Sequence, residues 1–135
     1  MSYPITAIEG IDAEVAATFK SVGIRSSERL LEAARTAKRR KLLAEKTGFS
    51  EKRLLCWANM ADRMRVKGVR KEYAELLAAA GVDTVKDLKY RNPANLAKAM
   101  ADANRARKMV RLLPSEKLVG RWIENAKTLP LKISY

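Results

Sequence analysis

Apolar positions in this chain recur at intervals of three and four residues and almost never alternate. Val15, Ala16, Phe19 and Val22 fall on one helical face, as do Leu54, Trp57, Ala61 and Met64, and later Leu118, Trp122 and Ala126. Period-two runs, Asn-Gly turns and β-branched stretches are nearly absent, so the elements are expected to be helices rather than strands. The punctuation between apolar runs sets their bounds. Asp12 caps a helix closed by Gly23, and Ser26 caps a short one through Leu30, Leu31 and Ala34. Thr36 opens a helix that Gly48 stops near Lys46, and Ser50 starts the next. A helix over 70–80 ends at Gly81, and Thr84 with Asp87 has capping-box spacing. Asn92 followed by Pro93 opens a long basic helix to about Leu112, and Pro114 with Ser115 opens the last. The fold class is therefore all-α, with about eight helices.

Part of this frame is used twice. "IEGIDAEVAATFKSVGI" (8–24) and "VKGVRKEYAELLAAAGV" (66–82) match in Gly10 and Gly68, Glu14 and Glu72, Ala16 and Ala74, and Gly23 and Gly81. Ile8, Ile11, Phe19 and Ile24 meet Val66, Val69, Leu77 and Val82. Trp57 and Trp122 stand at equivalent places further along and are expected to be core anchors rather than base-stacking platforms. Two pseudo-symmetric repeats, about 8–65 and 66–130, follow from this. A half of that length is marginal by itself, so a single compact domain over 1–135 is expected. The simplest closure packs the last helix against the first glycine turn, which has no helix before it, and brings the chain's head and tail together.

Composition removes several functions. The chain has no histidine and one cysteine, which excludes a Ser/His triad, a Cys/His zinc site and an internal disulfide. No paired carboxylates or lysine-plus-acid arrangement stands out, so no enzyme, catalytic residue, metal or cofactor is expected. Cys56 reads as a small buried hydrophobe. The start "MSYPITAIEG" has no leader pattern and 18 apolar residues never run together, so a cytoplasmic protein away from the membrane is expected; a nucleoid-associated location is compatible.

Charge points the other way, toward a partner. There are 28 basic and 15 acidic residues. The excess sits in three acid-free segments, "RTAKRRK" (35–41), "RMRVKGVRK" (63–71) and "RARKMVR" (105–111), which hold 14 of the basic residues and leave the remainder balanced to within one charge. Clustering of this kind is the footprint of a polyanion binder.

"RVKGVRKEYAELLAAAGV" resembles the helix-hairpin-helix superfamily. With "EGIDAEVAATFKSVGI", "LLAEKTGFS", "LLCWANMADRMRVKGV" and "EYAELLAAAGVDTVKDLKYRNPANL", the chain over about 5–130 resembles an uncharacterised bacterial family, the domain-of-unknown-function family 4332. The resemblance implies a fold and a suspected nucleic-acid role, with no known activity. The physical basis of such a turn is separate from the family: glycine allows the sharp connection, aliphatics lock it to the core, and the next helix presents unpaired N–H groups and its positive dipole end to a phosphate oxygen. The superfamily's usual second glycine is replaced by Asp12 in the first copy and Arg70 in the second. A carboxylate repels phosphate and a guanidinium holds it. Gly10, Ile11 and Asp12 are thus expected to be structural, and Lys67, Gly68, Val69, Arg70 and Lys71 to make contact. Asn104, Arg107, Lys108 and Arg111 form a second candidate stripe, and Lys38, Arg39 and Arg40 a third. The expected function is sequence-independent binding of nucleic acid, double-stranded DNA ahead of RNA. The alternative is an adaptor or structural subunit whose basic faces meet an acidic protein or an RNA-rich assembly.

Overall fold

The computed structural model describes residues 2–135. Among them are eight α-helices, one 3-10 turn over Ile5–Ala7 and no strand, so the fold is all-α. The helices are α1 (Ala13–Ser21), α2 (Ser27–Ala33), α3 (Ala37–Thr47), α4 (Glu51–Arg63), α5 (Lys71–Ala79), α6 (Val85–Lys89), α7 (Pro93–Arg107) and α8 (Glu116–Thr128). They fall into two compact units, one up to Asp62 together with Lys132–Tyr135, the other Arg63–Leu131.

Most starts follow from local chemistry. Side chains of Asp12, Ser26, Thr36, Asn92 and Ser115 each accept the backbone N–H three residues on, satisfying a donor that a helix start leaves unpaired. Ser50 does the same for Arg53 at the start of α4. Thr84 and Asp87 complete a reciprocal capping box on α6.

In the first unit the core is aromatic. Phe19 of α1 and Phe49, which precedes α4, each meet Trp57 of α4 edge to face and are tilted against each other, with ring centroids 5.2–5.5 Å apart. Arg53 lies over the Trp57 ring at 4.7 Å, covering it with a cation. The chain's head and tail both close onto the ends of α2. Ile5 N–H donates to Arg25 and Ser27 N–H to Tyr3, while Ser134 N–H donates to Arg35. In the second unit α8 packs on α6 and α7, and α7 on α5. Trp122, 1% exposed, lies at the centre with Tyr73 tilted against it at 5.2 Å.

Two sequence expectations change. The spacing predicts α7 to run to about Leu112, but it ends at Arg107. Lys108 takes a left-handed conformation (φ 50°, ψ 52°), and the Asn104 side chain accepts the Val110 N–H at 2.8 Å, diverting the chain out of the helix. Cys56 is exposed rather than buried. Leu54, Trp57, Ala58 and Ala61 define the inward face of α4, and Cys56, two residues from Leu54 and from Ala58, falls on the opposite side.

Candidate functional site

The two glycine turns are built alike. Gly10 has φ 87° and Gly68 φ 88°, values that L-residues with a side chain adopt only under strain. One backbone hydrogen bond closes each turn, Ile11 N–H to Ile8 and Val69 N–H to Val66, at 3.2 and 3.0 Å. The four flanking aliphatics are buried. An indole nitrogen fills the space beside each glycine. A Cβ on Gly10 would lie 3.2 Å from Trp57 Nε1, and one on Gly68 would lie 3.4 Å from Trp122 Nε1. The place beneath Gly10 that the simplest closure gives to the last helix is thus filled by α4. Each turn is served by the tryptophan helix that follows it in its own unit, because glycine leaves room for a ring that any larger residue would push away.

Beyond the turn the two copies part. Asp12 and Arg70 both have extended backbone and both precede a helix of nine residues. Asp12 accepts the Val15 N–H at 2.9 Å and seals the first turn of α1. Arg70 makes no capping hydrogen bond, so its long cationic side chain stands where α1 has an anion. Lys67, Gly68, Arg70 and Lys71 are exposed. Two expected contacts are spent on structure instead. Val69 is fully buried and its N–H closes the turn, so it holds the backbone and has no free donor. The Lys67 N–H donates to Asn125 Oδ1 of α8 at 3.0 Å, which leaves the Lys67 ammonium as that residue's outward group.

The segment after α7 comes back beside this turn. Arg111 lines a cleft of about 280 Å³ with Glu72 and Tyr73 of α5, and the Tyr73 hydroxyl donates to the Leu112 carbonyl at 3.0 Å. Arg111 therefore lies beside the first turn of α5, in a cleft it shares with the Glu72 carboxylate. Arg107 and Lys108 are exposed, but the end of α7 takes Lys108 and Arg111 off the predicted helical stripe. Asn104 is occupied by Val110.

In the first unit the basic stripe of α3 is divided. Lys38 is exposed. Arg39 pairs with Glu32 at 2.8 Å and with the Glu32 carbonyl at 2.9 Å, and its hydrogen bond, aided by Arg35, holds the Glu32 carboxyl below its ordinary pKa. Arg40, expected to meet a ligand, is instead 4% exposed. Its guanidinium donates to the Ala34 carbonyl at 2.9 Å and the Ser134 carbonyl at 2.8 Å, so it clamps the chain's tail to α2 and α3. Burial lowers its pKa from the ordinary arginine value.

Arg63 and Arg65 follow the same pattern. Arg63 donates to the carbonyls of Ala74 and Asp83, at 2.8 and 2.9 Å, and Arg65 to that of Pro130 at 2.6 Å. Arginines held by carbonyl oxygens need no acidic neighbours in sequence. That is why part of the acid-free charge is architectural, a distinction the residue string does not carry. Among the described residues no group of three His, Cys, Asp or Glu side chains could hold a metal ion, and no helix is long and apolar enough to cross a membrane.

With this geometry in place, a family model described as "Domain of unknown function (DUF4332)" matches residues 9–129. The chain belongs to that family. The matched range takes in both glycine turns and both tryptophan helices, and within the DUF4332 region Glu9 and Asp12 at the first turn are opposite in charge to Lys67 and Arg70 at the second. Neither a curated protein nor a solved structure matches the chain.

Proposed function

We propose that this DUF4332 protein binds nucleic acid, double-stranded DNA ahead of RNA, through phosphate contacts at the second glycine turn, which acts as a helix-hairpin-helix. The observation that supports it most directly is the pairing of an acid-capped turn at Asp12 with an uncapped, cationic one at Arg70. A helix start with no side chain closing it attracts an anion by its dipole and its backbone donors; Lys67, Arg70 and Lys71 are exposed at this one, and Arg111 lines the cleft beside Glu72 and Tyr73 of its first turn. Contacts of that kind position a backbone without reading bases, so binding is sequence-independent.

Fluorescence anisotropy with a labelled duplex tests this. Neutralising about four phosphates gives a salt slope of about −3.6, which is ~150-fold weaker binding at 200 mM than at 50 mM salt. Binding that ignores salt, or no binding to duplex DNA or RNA at low salt, removes the proposal.

A further inference from the structure

We infer that Leu112 is an apolar wedge that enters a base-pair step of double-stranded DNA and kinks it. The inference rests on the proposed binding at the second glycine turn and adds an activity to it, deformation of the duplex.

Leu112 is 76% exposed, more than any other large aliphatic side chain among the described residues, and Leu113 beside it is 41% exposed. Leaving two adjacent leucines in water forfeits the burial that a leucine ordinarily gains. A mobile loop could hide them; this one is pinned. Asn104 holds the Val110 N–H on one side, the Tyr73 hydroxyl holds the Leu112 carbonyl itself, and Pro114 is buried just after, ahead of the Ser115 cap of α8. Tyr73 in turn packs on the buried Trp122. The leucine is thus carried outward on a backbone fixed to the unit's core.

Its surroundings suit one occupant. Arg107, Lys108 and Arg111 precede it with no acidic residue between, and Arg111 shares a cleft with the first turn of α5. Three cations against the single Glu72 carboxylate of that cleft leave a net-basic rim around an apolar tip, which matches a surface that is anionic outside and apolar within, as a DNA backbone flanking a stack of bases is. Aliphatic wedges of this type open a step from the minor groove and bend the duplex, and flexible pyrimidine–purine steps yield most readily.

The test uses the whole protein and a duplex of about 20 base pairs carrying donor and acceptor dyes at its ends and 2-aminopurine at a central TA step. Wild-type protein is expected to raise transfer between the dyes and to raise 2-aminopurine fluorescence by about twofold or more. A duplex with a central mismatch, already partly unstacked, should bind on the order of tenfold tighter than the matched one. Leu112→Ser, at an exposed site that leaves the core intact, should still bind at low salt yet lose the bend, the fluorescence rise and the mismatch preference. Leu112→Met should retain all three. Binding by the wild type with no change in either signal, or unchanged bending by Leu112→Ser, overturns the wedge while leaving phosphate binding in place. Absence of any duplex binding overturns both.

Discussion

The indole nitrogen of Trp122 lies 3.4 Å from where a Cβ on Gly68 would be, and it is buried without a hydrogen-bond partner. A buried donor left unpaired costs about 1–3 kcal/mol. The close approach of ring to turn offsets that cost through packing, so the ring matters more than its N–H. Trp122→Phe should therefore lose less stability than Trp122→Ala, for which about 3–5 kcal/mol is expected. Gly68→Ala should cost about 1–2 kcal/mol for its positive φ alone. Urea unfolding of the three variants checks the order, and a Trp122→Phe variant as unstable as Trp122→Ala would show that the N–H is needed.

The caps at Asp12 and Arg70 predict effects of opposite sign. Asp12→Ala should lower stability by about 1 kcal/mol, because the Val15 N–H loses its acceptor. Arg70→Asp should raise stability by up to about 1 kcal/mol by capping α5 and matching its dipole, while weakening DNA binding at least tenfold. Paired unfolding and anisotropy measurements on the same samples decide it. Loss of both stability and binding in Arg70→Asp would mean that Arg70 serves the fold.

Arg40 and Lys38 separate structure from contact within one segment. Arg40→Met removes charge-assisted bonds to two carbonyls and should cost about 2–3 kcal/mol. The folded fraction should bind DNA as the wild type does. Lys38→Ala, on an exposed side chain, should leave stability within about 0.5 kcal/mol. Thermal melts beside binding titrations distinguish the two.

Glu32 sets a small pH dependence. Its carboxyl is held below the ordinary value by Arg39, so its contribution is complete above the unfolded-state pKa and is lost as pH falls through the folded one. Both partners are about half exposed, and screening limits the effect to a few tenths of a kcal/mol. Glu32→Gln should lose those few tenths of a kcal/mol at neutral pH and flatten the fall on the acid side of the stability profile, below about pH 4.3. Unfolding at pH 7 and at about pH 3 in both proteins measures the difference.

Much of the fold was legible because its signals are local. Ser26, Thr36, Asn92 and Ser115 cap through atoms three residues away, and the glycine turns follow from the chemistry of a few neighbouring residues. The end of α7 was not, since Lys108 leaves the helix through a side chain, Asn104, that is equally at home inside one. The candidate site was legible as a contrast of charge between Asp12 and Arg70. Its composition was not: Arg40, Arg63 and Arg65 look like surface cations until the carbonyls they hold, some of them distant in sequence, are brought beside them.

The residue string alone determined an all-helical chain, the two glycine turns and the reversal of charge after them, because period, cap and turn chemistry act over a few residues. Only the tertiary structure decided which tryptophan sits under which glycine, which arginines are buried, and that Arg111 and Leu112 stand beside α5. Those outcomes depend on contacts made across dozens of residues, where burial and backbone acceptors, rather than side-chain type, settle what each charge does.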